Sequence, residues 1–507
     1  MTKKAALLAL AAAASCWAQA PGGGSSSLTR AAQLPASTGE SSGSVVTALS
    51  NSVQVGGNFS GSVPGEAVAA GPIPLTIAEA IKRGLAANLG PIVASDSARA
   101  ARAQRLQALS ALLPNISASA SDTVTQVNLA AYGFQFNVPA SLGFSIPSVV
   151  GPYNYSSLQG TLNQSLYDLV ARRNWQAAKV SEQAAGLSAK DAHELVILAV
   201  GGTYLQCLST AARVASQQAQ VDNAQAIYQQ AQVRKAAGTN ARIDVTRSQV
   251  QLQTEQQSLS SLKADYRKQI IVLARLIGLP QDREITLSDA LDSNPGAVPD
   301  AATAVQQALA RRADLQATAA QVKAAELAVS AARAERLPTA GLSGNYGVIG
   351  PNPESTHGVF GVTASVTMPI WLGGRSGADI EQAEATLHQR QAELADQRSR
   401  VEQGVRNALI ELETAEGQVQ VAASSKALAA DTLTQARDRF AAGVATTVEV
   451  VQAQQQAAQA DSDYISSLFS MNLARLSLAR EMGQTEAGLL KSAKGADARR
   501  QSKDETP

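Results

Sequence analysis

Cysteine is almost absent from this 507-residue chain, which has two, Cys16 and Cys207. With Cys16 in an N-terminal segment expected to be removed, Cys207 stands alone, which excludes a disulfide framework and a cysteine metal cluster within one chain. Histidine is nearly as scarce. His193, His357 and His388 are far apart, and His193-Glu194 lacks the second histidine of a zinc-protease helix, so no metal site is expected. No Gly-Lys-Ser/Thr loop is present to cradle a phosphate, and no convergent polar constellation suggests an enzyme or a cofactor. Charge of one sign is also missing: 42 Lys+Arg face 41 Asp+Glu, which argues against a nucleic-acid partner. Beyond the N-terminus no run reaches the roughly 18 consecutive apolar residues of a spanning helix. The best, Leu195 to Val200, stops at Gly201-Gly202. If this chain crosses a membrane, it must do so as strands.

Lys3 and Lys4, the apolar run Ala5 to Ala14 and small residues at Ala18 and Ala20 predict a signal peptide over residues 1–20. Cleavage after Ala18 is favoured over Ala20, because Pro21 would adjoin the second cut. Lipidation at Cys16 is an alternative, although Ala13-Ala14-Ser15 lacks the usual upstream leucine. Residues 21–71 are rich in Gly and Ser, with too little apolar surface to offset ordering entropy, and read as a flexible leader. The charged residues 485–507 read as a disordered tail of unknown role.

Between them the chain carries an internal repeat. Leu113-Pro114 recurs as Leu337-Pro338, Lys235-Ala-Ala-Gly238 as Phe440-Ala-Ala-Gly443, and Leu276-Ile-Gly278 as Glu481-Met-Gly483. The repeats cover 72–278 and 301–484, joined by a linker at 279–300. Each half predicts a helix ended by Leu-Pro, because proline removes a donor and disfavours helix before it. A strand pair, a very long helix, a glycine turn and another long helix follow. The predicted helices are 75–112, 169–234 and 242–278, then 302–336, 376–441 and 446–483.

The strand hairpins fall at about 115–167 and 339–371, where the apolar period drops to two. Phe360, Val362, Ala364, Val366, Met368 and Ile370 alternate with Gly361, Thr363, Ser365 and Thr367, and Ile116, Ala118 and Ala120 alternate with serines. Leu158, Leu162 and Leu166 alternate likewise with Gln159, Thr161 and Ser165. Lipid on one side and water on the other would impose this pattern; a soluble sheet over a small core is the competing account. Ten of the 19 aromatic residues crowd into these two windows, among them Tyr132, Phe134, Tyr153, Tyr155, Tyr346, Phe360 and Trp371. That crowding favours girdles at a membrane interface. Four strands cannot close a barrel and an open edge in lipid is costly, so the chain must oligomerise, and three copies supply twelve strands. Helices of about 66 residues extend roughly 100 Å, which suits a tube wall; a rod or coiled coil enclosing no channel is the plainer alternative.

The chain resembles the outer-membrane efflux proteins of the TolC-like and OprM-like type. The residues that carry the resemblance are Pro74-Leu-Thr-Ile-Ala-Glu-Ala-Ile81, Leu112-Leu-Pro114, Gly238 with Asp244-Val245, Ala332-Arg-Ala-Glu-Arg-Leu-Pro338, Gly373-Gly-Arg375, Arg439-Phe-Ala-Ala-Gly443 and Ala453-Gln454. It covers about 72–484. It implies a mainly α fold with a small β part: a homotrimer pairing a twelve-strand barrel in outer-membrane lipid with a long periplasmic α-helical barrel. It also implies a passive exit duct of a tripartite efflux or type I secretion system in a Gram-negative bacterium. The partners would be a periplasmic adaptor (membrane fusion) protein and an inner-membrane pump of RND, MFS or ABC type. Small toxic compounds are a likelier cargo class than proteins only by family numbers. A periplasmic helical adaptor or coiled-coil structural protein is the competing reading.

By the same resemblance the turns 234–244 and 439–449 form the periplasmic tip, with Asp244, Glu449 and Phe440 as entrance candidates. Arg234, Gly238, Arg439 and Gly443 become adaptor-docking candidates. Simpler roles stand beside these: Thr446 with Glu449 fits a capping box, Asp244 complements a helix dipole, the arginines suit helix C-termini, and the glycines suit left-handed caps. Phe440 and Ala445 stand where some members use a tyrosine and an arginine to hold the entrance shut. Without the hydroxyl, the entrance must be held by something else, such as packing of Phe440, or be held less tightly.

Overall fold

The structure is a computed structural model that describes residues 46–49, 52–64, 71–133, 147–238, 241–294 and 298–484. The expected signal peptide, Cys16, Phe134, much of the leader and the tail 485–507 lie outside the described residues. Those described belong to one compact unit, Ser41–Pro507.

The helices are α1 (Ile77–Ala87), α2 (Leu89–Ser110), α3 (Leu169–Ala236), α4 (Arg242–Leu276), α5 (Ala301–Arg311), α6 (Ala313–Ala334), α7 (Arg375–Ala441) and α8 (Thr447–Glu481). The strands are β1 (Val46–Leu49), β2 (Ser52–Val55), β3 (Ile73–Leu75), β4 (Asn115–Asn128), β5 (Val149–Tyr167), β6 (Ile285–Leu287), β7 (Thr339–Gly350) and β8 (His357–Thr367). At about 1.5 Å per residue, α3 and α7, with 68 and 67 residues, each run roughly 100 Å. Leu112-Leu-Pro and Leu337-Pro stop α2 and α6 and open β4 and β7.

Two predicted helices are each broken in two. Asn88 and Arg312 adopt extended backbone (φ −67°, ψ 140° and φ −60°, ψ 122°), separating α1 from α2 and α5 from α6. At Asn88 the cause is local. Its side-chain Oδ1 accepts from Gly90 N at 2.9 Å, and Pro91 sits in the first turn of the new helix, where its missing N–H costs nothing. The side-chain amide also donates to Phe59 O at 2.8 Å.

That last contact revises the leader. Residues 46–49 and 52–64, expected to be flexible, include the antiparallel β1–β2 pair and a 3-10 turn at Gly57–Ser60, and Phe59 is buried. Phe59 anchors this Gly/Ser-rich segment together with Val55, which packs on the same core, and the backbone bonds Val63 N to Ala87 O and Leu89 N to Gly61 O; Gly90 leaves room for the ring, since a Cβ there would lie 2.4 Å from it.

The main core wraps the middle of α3, where Val196, Val200, Tyr204 and Cys207 pack against β3, β6, α1, the end of α4 and Phe469, Leu473 and Leu476 of α8. Part of α3 is long and apolar enough to span a membrane, but 72% of that stretch is buried inside the protein. The apolar run therefore serves the core. Helix α3 passes straight through Gly201-Gly202; a Cβ at Gly201 would come within 2.9 Å of Leu476 Cδ2, so the glycine admits α8. Tyr204 ties this core together, donating within reach of Leu75 O (2.8 Å) and Asp289 Oδ2 (2.9 Å), while Ile77 N donates to the same carboxylate at 2.7 Å.

Candidate functional site

Strands β4, β5, β7 and β8 form one antiparallel sheet in the order β4-β5-β7-β8. The register assembles one apolar face across all four strands. Ala118 stands opposite Gly160, Gly160 opposite Tyr346 and Tyr346 opposite Phe360; the next row is Ile116, Leu162, Gly344 and Val362. These side chains are exposed, with Ile116 79%, Tyr346 73% and Phe360 81% accessible, so the face covers no core of this chain. The soluble-sheet account fails on that point. The opposite face runs Ser117, Thr161, Asn345 and Gly361 in one row and Ser119, Gln159, Gly347 and Val359 in the next, so it is mainly polar with an apolar residue at Val359.

Of the aromatic residues expected at an interface, Tyr346 and Phe360 share the apolar face as a directly opposed pair, and Trp371 projects beyond β8, 86% exposed. Tyr153 and Tyr155 do not join them. They pair with Thr125 and Thr123 and share the parity of Ser157 and Gln159, which puts them on the polar face. Tyr132 lies in a 3-10 turn after β4. Leu166 also leaves its expected series: a bulge between Ser165 and Tyr167 makes Tyr167 the partner of Ala340, so an aromatic takes the apolar face instead.

At the other end, the turns after α3 and α7 bring the tip candidates together in part. Gly238 and Gly443 have φ of 75° and 78°, the left-handed conformation that glycine adopts without steric cost. Gly443 N donates to Phe440 O at 3.1 Å and Val444 N to Arg439 O at 3.0 Å, which together cap α7. Phe440 is buried beneath Arg234, whose guanidinium lies 4.2 Å from the ring centroid and donates to Phe440 O at 3.1 Å. The α3 turn is thus fastened to the α7 turn by a cation–π stack and a hydrogen bond. Asp244 takes no part in that contact; its carboxylate lies 3.9 Å from Arg247 on the first turn of α4. Glu449 N donates to Thr446 Oγ1 at 3.4 Å, and its carboxylate meets Arg439 at 3.7 Å. Capping and ion pairing are therefore both present at this exposed acid.

Sequence reasoning missed a buried ionic cluster at the α5–α6 break. Arg312 donates to both oxygens of Asp314 (3.0 and 2.7 Å) and to Glu481. Arg480 bonds Glu194 at 3.1 Å and also Asp191, and Gln397 donates to Asp314 at 2.7 Å. Both arginines are at least nine-tenths buried. Burial pushes Asp191 and Glu194 above the usual carboxylate range despite Arg480. Burial acts on Asp314 in the same direction, but the hydrogen bonds and charge of Arg312, with help from Arg480, hold it below. Among the described residues no group of three or more His, Cys, Asp or Glu is placed to hold a metal ion.

The family model for outer membrane efflux proteins matches residues 93–279 and 304–484. This chain belongs to that family. The pyoverdine export outer membrane protein OpmQ of Pseudomonas putida is 27% identical over 192 residues, 37% of this chain and 40% of that protein; the match thus spans under half of that relative's length. The outer membrane efflux protein BepC of Brucella suis is 26% identical over 328 residues, 61% of this chain and 70% of that protein. The fold matches the outer membrane protein VceC of Vibrio cholerae (TM-score 0.66, 19% identity, 80% of this chain and 96% of that one). It also matches the CmeC outer membrane channel of Campylobacter jejuni (TM-score 0.70, 16% identity, 89% and 98%). As an outer membrane efflux protein the chain resides in the outer membrane of a Gram-negative bacterium, with a long periplasmic portion. Its family and fold neighbours are channel proteins, and the competing reading as an adaptor is set aside.

Proposed function

We propose that this efflux protein is one protomer of a homotrimeric exit duct, in which three four-strand sheets close a twelve-strand barrel and the long helices form a periplasmic tunnel. The observation that carries this reading is the sheet itself. It presents a continuous exposed apolar face, and its outer strands β4 and β8 each have a single strand neighbour among the described residues. In lipid, an open edge leaves backbone groups unpaired at several kcal/mol each, and closure against further copies removes both edges. The duct is passive and would receive cargo from an inner-membrane pump of RND, MFS or ABC type through a periplasmic adaptor, whose contacts fall on the turns carrying Arg234, Gly238, Arg439 and Gly443. Small toxic compounds are the proposed cargo. Asp244, Phe440 and Glu449 mark the narrow periplasmic entrance, where three copies of Glu449 would favour cations.

Single-channel conductance of the purified protein in planar bilayers, with crosslinking to count chains, tests the reading. Stable trimers with cation-selective openings that lose selectivity in Glu449→Ala are expected. Monomers without conductance would overturn it, and trimers of unchanged selectivity would leave Glu449 a helix cap.

A further inference from the structure

The internal repeat lays α3 on α7 and α4 on α8, at the same offset of 205 residues that relates Gly238 to Gly443 and Gly278 to Gly483. The cores obey it. Val196, Val200 and Tyr204 of α3 correspond to Val401, Val405 and Leu409 of α7, and all six are buried. The neighbours do not obey it. Helix α8 packs against both α7 and α3, whereas its counterpart α4 packs on α3, and among the described residues no second long helix lies along it.

The α3–α8 contact shows what the bare edges need. Arg480 bonds Asp191 and Glu194, Arg213 donates to Ser466 at 2.7 Å and Ser216 to Asp461, while Gly201 makes room for Leu476. Carried across by the offset, the α3 residues become Asp396, Ser399, Gln418, Val421 and Arg406 of α7, and the α8 residues become Arg275, Ser261, Gln256 and Ile271 of α4. All of these counterparts are exposed. Leu476 and Leu205 are 4% and 8% accessible, yet Ile271 and Ile410, in the matching places, are 44% and 62% accessible. Side chains of one type, buried in one half and bare in the other, mark an edge that another helix covers. Charge agrees. Arg275 has no ion pair among the described residues, and Asp396, 59% exposed, meets Arg400 of its own helix at 2.7 Å.

We infer that α4 of each protomer docks along α7 of the next copy, with Arg275 of one copy paired to Asp396 of its neighbour as Arg480 is paired to Asp191 inside the chain. This rests on the homotrimer reading and adds which faces meet and through which charges. The two edges are different surfaces, so the contact is head to tail, the kind that generates rings. The two seams match in place and differ in chemistry. Inside the chain a glycine admits Leu476 and the arginine is buried. Between copies Arg406 stands where that glycine would be, its stem lying over Ile271, and the Arg275–Asp396 pair stays close to water. Charge in such a place is screened by salt, so the joints between copies loosen under conditions that leave the joint within each chain intact.

Crosslinking tests the contact. Positions 275 and 396 lie on opposite edges of one chain, with α3 and α8 between them, so a short bis-maleimide can join cysteines there only across copies. Native Cys207 is buried, its thiol pushed up to about 12, and will not react. The double variant Arg275→Cys/Asp396→Cys should give covalent trimers, and either single variant none. Arg275→Glu or Asp396→Arg alone sets like charges against each other at all three seams. A loss of about twofold per seam multiplies to about eightfold in the trimer association constant, measured in detergent at low salt. The two reversals together should restore it, and salt at about 1 M should erase the difference. Conducting double-cysteine trimers that yield no covalent product, or reversals whose losses add when combined, would overturn the inference. If the unsubstituted chain forms neither trimers nor conducting channels, the homotrimer reading beneath it fails instead.

Discussion

Arg234 stacks on Phe440 at 4.2 Å and donates a hydrogen bond to that residue's carbonyl oxygen at 3.1 Å, so one side chain ties the turn after α3 to the turn after α7. A phenylalanine cannot offer the hydroxyl that a tyrosine would, but its face can carry a guanidinium. Partly buried stacks of this kind contribute about 1 kcal/mol. A double-mutant cycle of Arg234→Ala and Phe440→Ala, read as the free energy of channel closing in bilayer recordings, should show a coupling of about that size. Arg234→Lys should recover less than half, because the ammonium lacks the planar fork. Additive single effects would mean that the two residues act separately.

Arg480 is the centre of a second relationship, with Asp191 and Glu194 both drawn to it. Replacing it with methionine keeps volume and leaves two buried carboxylates without their cation, a change that costs about 3–5 kcal/mol in comparable sites. The expected result is a lower denaturant midpoint in detergent, together with new proteolytic cleavage near the extended residue Arg312.

Acid should act on the same cluster with opposite signs. Asp314 is held below its ordinary value of 3.8, so its contribution is whole above that value and is lost as pH falls through the lower folded one. Asp191 and Glu194 are raised; their contribution is present at low pH and lost as pH rises through the raised values. Denaturation curves of Asp314→Asn across an acid series should therefore lack the loss of stability below 3.8 that the unsubstituted protein shows, while the change above it persists.

Tyr204 lies fully buried between Leu75 O and Asp289. Tyr204→Phe keeps the ring and removes the donor, leaving a buried carbonyl and a carboxylate that still holds Ile77 N. A loss of about 1–3 kcal/mol is expected, measured by guanidinium titration, with the largest change in amide exchange at β3 and the start of α1.

Cys207 should be unreactive toward thiol reagents in the folded protein and react only on unfolding, since its burial disfavours the thiolate. Labelling followed by mass measurement checks this.

Much of the fold was legible because its signals are periodic or steric. Alternation from Phe360 to Thr367 could be read directly, although Met368 and Ile370, expected to continue it, lie past the end of β8, and Leu-Pro marks the helix-to-strand junctions. The breaks were harder. Asn88-Leu-Gly-Pro91 carries a cap and a proline, a readable signal, whereas the extended residue Arg312 has no side-chain cap of its own and is held by partners on α6 and α8. Sequence spacing cannot bring Asp191, Asp314 and Arg480 together, since only the packing of α3, α6 and α8 does so. At the tip, the capping role of Thr446 was local and visible, while the Arg234–Phe440 stack joins residues from different halves. Parity assigned Leu158 and Leu162 correctly but misplaced Leu166, because a bulge adds one residue without leaving a mark in composition.

The pairing of β5 with β7, from Ser156 opposite Gly350 to Tyr167 opposite Ala340, joins segments separated in the chain by everything from α3 to α6. Hairpins β4–β5 and β7–β8 are neighbours in sequence and can zip early, each closing a local loop, but their mutual seam must wait until α3 through α6 are laid down, since long-range pairings form slowly. The sheet is therefore a late product of assembly, and until the seam closes each hairpin exposes two bare edges and an oily face. A chain held at that stage carries two separate amphipathic hairpins whose bare edges could pair with other chains, and formation of the β5–β7 seam removes one edge from each.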